Sequence, residues 1–61
     1  TPREAEILRL VADGMSNREI ANEVHLSRHT VESHVKRIYR KLAVSSRMMA
    51  VREARARGMI E

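Results

Sequence analysis

The segment Ser16-Asn17-Arg18-Glu19-Ile20-Ala21-Asn22-Glu23-Val24-His25-Leu26-Ser27-Arg28-His29-Thr30-Val31 sets two helix starts one after the other with almost no chain between them. Ser16 is an N-cap residue with Glu19 three positions later, the capping-box pattern in which each side chain satisfies a backbone N–H of the first turn. Ile20, Ala21 and Val24 then recur at helical spacing. Ser27 supplies the second cap, ahead of a helix that packs through Val31, Val35, Ile38, Tyr39 and Leu42. Only His25-Leu26 is left to turn the chain. So short a link makes the helices meet at a steep angle and leaves one face of the second free to project, a geometry that suits a major groove.

The projecting face follows from about 100° of rotation per residue. With His29 at zero, Glu32, Ser33, Lys36 and Arg40 lie within about 60° of it, and Val31, Val35, Ile38 and Leu42 cluster near the opposite side. A polar face is normal for any amphipathic helix, so the charge distribution has to decide whether this one binds anything. Residues 1–27 carry a balance of −2, residues 28–47 carry +5 with Glu32 as the one acid, and residues 48–61 carry +1, for a net +4. Positive charge gathered on the second helix is the footprint of a polyanionic partner, because each phosphate neutralised by Lys or Arg releases condensed counterions.

A chain of 61 residues is a single small domain that buries only about 60% of its unfolded surface. It has no cysteine, hence no disulfide or thiolate metal site, and no signal-like apolar run, which reads as a soluble, cytoplasmic piece. With one Tyr and no Phe or Trp it lacks the aromatic platforms on which single-stranded nucleic acid stacks, so duplex DNA is the favoured partner. No nucleophile set, paired carboxylates or phosphate-cradling glycine loop can be assembled, and no enzymatic activity or cofactor is expected. His25 and His29 are four residues apart but do not share a helical face, and no ligand set completes a zinc site. His34, flanking the apolar side, reads as a packed or semi-buried imidazole.

The chain opens on Thr1-Pro2-Arg3-Glu4, an N-cap, a proline at the first helical position and a capping-box glutamate. The helix that follows turns Ala5, Leu8, Val11 and Ala12 one way with Ile7 beside them, and Gly14 stands where a left-handed C-cap residue is expected. Beyond Leu42 the pattern breaks at Ala43-Val44-Ser45-Ser46, and a serine caps a last helix that Gly58 ends. The reading is all-α, a compact four-helix domain with a central helix-turn-helix. Helices are expected over 2–13, 17–24, 28–42 and 47–57.

Taken together, Thr1-Pro2-Arg3-Glu4, Asp13-Gly14-Met15-Ser16-Asn17-Arg18-Glu19-Ile20-Ala21, Leu26-Ser27, His29-Thr30-Val31, His34, Lys41-Leu42, Ser46-Arg47, Ala50-Val51 and Gly58-Met59-Ile60 resemble the LuxR/FixJ-type (GerE-like) DNA-binding domain, over essentially residues 1–61. The resemblance implies the C-terminal domain of a bacterial transcription regulator, with the third helix in the major groove and the fourth forming a homodimer contact. It also implies an upstream sensing domain, such as a phosphorylated receiver or an autoinducer pocket, and leaves room for a contact with RNA polymerase. Carried over residue by residue, it gives Glu32, Ser33 and Lys36 to base edges; His29, from its own place on the outward face, is also in reach of DNA. Ser16, Asn17, Ser27, Thr30 and Arg47 go to phosphate contacts, and the cations Arg28, Arg37 and Arg40 join them. Glu32 departs from the pattern, since relatives often carry Lys or Arg there. A carboxylate at that point accepts from cytosine N4, or repels near-miss sequences, or pairs with Lys36 along the helix.

On the last helix, Ala50, Val51 and Ala54 share the side expected to pack on the domain, while Met49, Arg52 and Ala56 fall opposite with Met48 beside them. Those four outward residues are the expected dimer interface. A protein-docking helical module is the alternative from another class, but such a module requires neither the Ser16–Val31 turn chemistry nor a basic stripe aligned with Glu32, Ser33 and Lys36. A sigma-factor promoter-reading domain shares the two-helix logic but not the opening and closing motifs.

Overall fold

A computed structural model describes residues 2–60. Four helices follow in order, α1 (Pro2–Ala12), α2 (Asn17–Val24), α3 (Arg28–Leu42) and α4 (Arg47–Ala56). No strand occurs among the described residues, and no helix there is long and apolar enough to cross a membrane. The bounds of α2 and α3 are those expected, while α1 and α4 stop one residue earlier. Asp13 and Arg57 still donate their backbone N–H to the carbonyls of Arg9 and Glu53, so the α-helical ladder runs one bond past each end before Gly14 and Gly58 tighten the chain onto the Val11 and Arg55 carbonyls. The N-cap expected at Thr1 lies outside the described residues.

Local chemistry fixes the three later helix starts. Ser16 Oγ accepts from the Glu19 N–H at 3.2 Å and Glu19 Oε1 accepts from the Ser16 N–H at 2.8 Å, which completes the capping box. Hydrogen bonds from the Ser16 backbone and side chain hold the Glu19 carboxyl below its ordinary range. Ser27 caps α3 by accepting from Thr30, and Ser46 caps α4 by accepting from Met49. Two helix ends use a left-handed residue that carries a side chain, His25 at φ 60° and Ala43 at φ 56°. Only the glycine exits, Gly14 at φ 88° and Gly58 at φ 72°, are conformations that the residue type announces.

The helix α3 packs against all three others and forms the spine of the domain. Ile7, Leu8 and Val11 of α1, Ile20, Ala21 and Val24 of α2, Val31, Val35, Ile38 and Leu42 of α3, and Ala50 and Ala54 of α4 make one continuous core. Tyr39, Met15, Leu26, Val44 and Val51 are half-buried around it. The buried stripe of α1 is rotated from the one expected. Ile7 is fully buried at its centre while Ala5 and Ala12 are only half-buried, because the stripe runs through Glu4, Ile7, Leu8 and Val11. A charged residue at its first position conceals this periodicity.

Candidate DNA interface

The first turn of α3 is organised by two hydroxyls. Ser27 Oγ accepts from the Thr30 N–H at 3.1 Å and donates to Thr30 Oγ1 at 2.9 Å. With Oγ1 accepting from Ser27, the Thr30 hydroxyl keeps its own hydrogen for a further acceptor, in the same turn as the Arg28 and His29 N–H groups that a helix start cannot pair internally. An anion placed there meets donors and the positive end of the helix dipole.

From that turn the outward face of α3 runs through His29, Ser33, Lys36 and Arg40, all exposed, with Glu32 half-buried among them. The cations are not equivalent. Lys36 and Arg40 have no hydrogen-bond or ion-pair partner among the described residues. Arg28 sits with its Nε 3.6 Å from a Glu32 carboxylate oxygen. The intrahelical partner of Glu32 is therefore Arg28, one turn before it, in place of the Lys36 expected one turn after. This is the less favoured order of an i,i+4 pair, with the cation on the N-terminal side, and the long contact between two exposed groups is correspondingly weak.

A second group assembles where three segments meet. Arg47, at the start of α4, donates from Nη1 to Asn17 Oδ1 at 2.9 Å and from Nη2 to the Met15 carbonyl. Three residues assigned from sequence, Ser16, Asn17 and Arg47, thus come together at one corner, Ser16 through its capping box and the other two through each other. With Oδ1 engaged, the carboxamide N–H groups of Asn17 remain as its donors. The sequence did not reveal this bridge, which joins residues 30 apart and has no periodic signature.

Arg37 lies at the margin of the face, about 80° from His29 at 100° per residue. Its Nη1 is 3.5 Å from Glu4 Oε2, and Lys41 Nζ is 2.7 Å from Glu4 Oε1. The Glu4 side chain is 7% exposed. The Lys41 hydrogen bond, aided by the Arg37 charge, holds the Glu4 carboxyl below its ordinary value even though burial pushes the other way. Of the histidines, His25 and His29 are exposed, on the turn and on the outward face; His34 is half-buried, its Nδ1 buried without a hydrogen-bond partner.

On α4, Met48 is 73% exposed and Met49 47%, and Arg52 and Ala56 are exposed beside them. The expected outward set of that helix is therefore at the surface, and Met48 does not fold back into the core.

Two helices joined through a three-residue turn, the second capped, cationic and open on one side, define a helix-turn-helix DNA-binding domain. The chain belongs to the luxR family of bacterial regulatory proteins, whose pattern matches residues 1–54. It is 49% identical over 59 residues to the response regulatory protein YgeK of Escherichia coli K12, covering 97% of this chain and 40% of that protein. Over 60 residues it is 40% identical to the HTH-type transcriptional regulator AlkS of Alcanivorax borkumensis, covering 98% of this chain and 7% of that one. A crystal structure of the response regulator ChrA of a heme-sensing two-component system superimposes with a TM-score of 0.96 at 40% identity, over 98% of this chain and 30% of ChrA. This chain thus spans well under half the length of these relatives. The family is a class of DNA-binding transcription regulators, which is not a class of enzymes.

Proposed function

We propose that the domain binds duplex DNA in a sequence-specific way, with α3 in the major groove, and thereby regulates transcription. The observation that carries this reading is the pair of cations, Lys36 and Arg40, that have no partner among the described residues and lie on the face of α3 turned from the core. In a family of DNA-binding regulators, such a face matches a phosphate-lined groove. His29, Glu32, Ser33 and Lys36 meet base edges. Ser27, Arg28, Thr30 and Arg40 meet the phosphates flanking the helix, and Ser16, Asn17 and Arg47 meet those beside the α2 corner. Glu32 accepts from cytosine N4 when Arg28 swings from it to a phosphate.

The active unit in this reading is a homodimer joined through Met48, Met49, Arg52 and Ala56. An isologous contact sets two α3 helices on successive major grooves and calls for an inverted repeat. A sensing domain joined to this one in the cytoplasm, comparable with the longer relatives, would govern the dimer, and RNA polymerase would be met from a surface left free by DNA.

Selection of bound duplexes from a random pool tests the whole reading, since it returns the motif, its symmetry and its half-site spacing. An inverted repeat supports it, and a pool that never enriches refutes it. Replacing Met48 and Met49 together with Glu should abolish cooperative occupancy of two half-sites and spare a single half-site. An equal effect on both duplexes removes α4 from the interface. Glu32→Gln should change the preferred base at one position only, and uniform tightening on every sequence would identify Glu32 as a phosphate repeller.

A further inference from the structure

Apart from Arg28, which pairs with Glu32, the cations of α3 fall into two sets that the net charge alone does not reveal. Among the described residues Lys36 and Arg40 face outward without a counterion, whereas Arg37 and Lys41, on the flank turned toward α1, both reach Glu4, the one buried acid there. Their side chains are still 57% and 55% exposed, so neither is sequestered by burial. What restrains them is the Glu4 carboxylate, 33 and 37 residues away in sequence.

We propose that Glu4 is a specificity-determining residue that acts through Arg37 and Lys41, holding two mobile cations off the DNA backbone so that sequence-blind affinity stays low. The inference rests on the DNA-binding reading above. Phosphate contacts strengthen binding to every sequence alike, while discrimination comes from base edges. A long cation at the edge of a groove-facing helix reaches whichever phosphate is nearest, and each one recruited raises the non-specific background against which a cognate site must compete. Anchoring Arg37 and Lys41 to an acid on α1 leaves the base-reading residues as the larger share of the binding energy. Arg37 is thereby withdrawn from the phosphate contacts that its place on α3 suggests.

The test compares affinities for a short mixed-sequence duplex at two salt concentrations. In Glu4→Gln, nearly the same shape without the charge, each cation released to a phosphate should steepen the slope of log K against log salt by about 0.9. Between about 50 and 200 mM salt, the ratio of affinities should then widen about 3-fold for one cation and about 12-fold for two. Adding Arg37→Ala and Lys41→Ala to that variant should return the slope to the wild-type value. With Glu4 intact, the Arg37→Ala, Lys41→Ala variant should keep the wild-type slope, and this comparison holds even if Glu4→Gln fails to fold. A folded Glu4→Gln with an unchanged slope overturns the proposal, as does a steep slope that persists in the triple variant or a slope that falls when Arg37 and Lys41 are removed in the presence of Glu4. Wild-type protein with no salt-dependent duplex binding overturns the underlying reading as well, so the two failures are distinguishable.

Discussion

Helices α2 and α3 insert Ile20, Val24, Val31, Val35, Ile38 and Leu42 into the core, whereas the residues that α4 buries are Ala50 and Ala54. The pair thus buries branched side chains, each worth about 1.5–3 kcal/mol, while α4 rests on two methyl groups, the half-buried Val51 and the Arg47 hydrogen bonds. The unit proposed to face DNA is held by apolar bulk, and the helix proposed for self-association is held by a polar clamp at one end. Rigid presentation of α3 and a separable α4 follow from that difference, because elements with fewer buried apolar contacts open at lower free energy.

The largest expected effect breaks the comparison if it fails. Ile20→Ala should cost about 2–5 kcal/mol, enough to unfold much of a domain this small, whereas Ala50→Gly should cost about 1 kcal/mol. Urea or thermal denaturation followed by helicity separates the two, and equal losses would show α4 to be as deeply anchored as α2. The middle effect sharpens it. Arg47→Ala removes the bonds to Asn17 and Met15 and should cost on the order of 1 kcal/mol, with amide exchange accelerating in α4 before α2 and α3. Uniform acceleration throughout the chain would contradict the separable α4.

The features that the sequence made legible are those confined to one turn or one helix. The Ser16–Glu19 capping box, the Ser27 cap, the outward positions of α3 and the exposed methionines of α4 all follow from spacing alone. The long-range bridges do not. Glu4 carries the mark of a capping-box residue, yet its carboxylate reaches Lys41 and Arg37 across the domain, and no periodic pattern reports a partner on another helix. The Arg47–Asn17 bridge was hidden for the same reason, although both residues were assigned to the interface individually. The left-handed turns at His25 and Ala43 lacked the glycine that signals such a conformation.

The smallest effect is acid sensitivity. The carboxyls of Glu4 and Glu19 are held below the ordinary glutamate value of about 4.3, so the stability they contribute is fully present above it and is lost as pH falls through their depressed folded values. Screening of the exposed Lys41 and Arg37 keeps the Glu4 share modest. Glu4→Gln should flatten part of the decline below about pH 4.3, and Glu19→Gln should flatten the part that belongs to the start of α2. Acid denaturation curves that keep the wild-type shape in both variants would mean that neither carboxylate is coupled to folding.

The central claim is that the outward face of α3 binds duplex DNA, and a salt series on wild type and Lys36→Ala tests it most directly. With about four to six phosphates neutralised per bound domain, log K should fall against log salt with a slope of about −4 to −5. Lys36→Ala should weaken binding to the selected duplex by on the order of 1–3 kcal/mol with helicity unchanged. A flat salt response, or a Lys36→Ala protein that binds as tightly as wild type, would contradict the account.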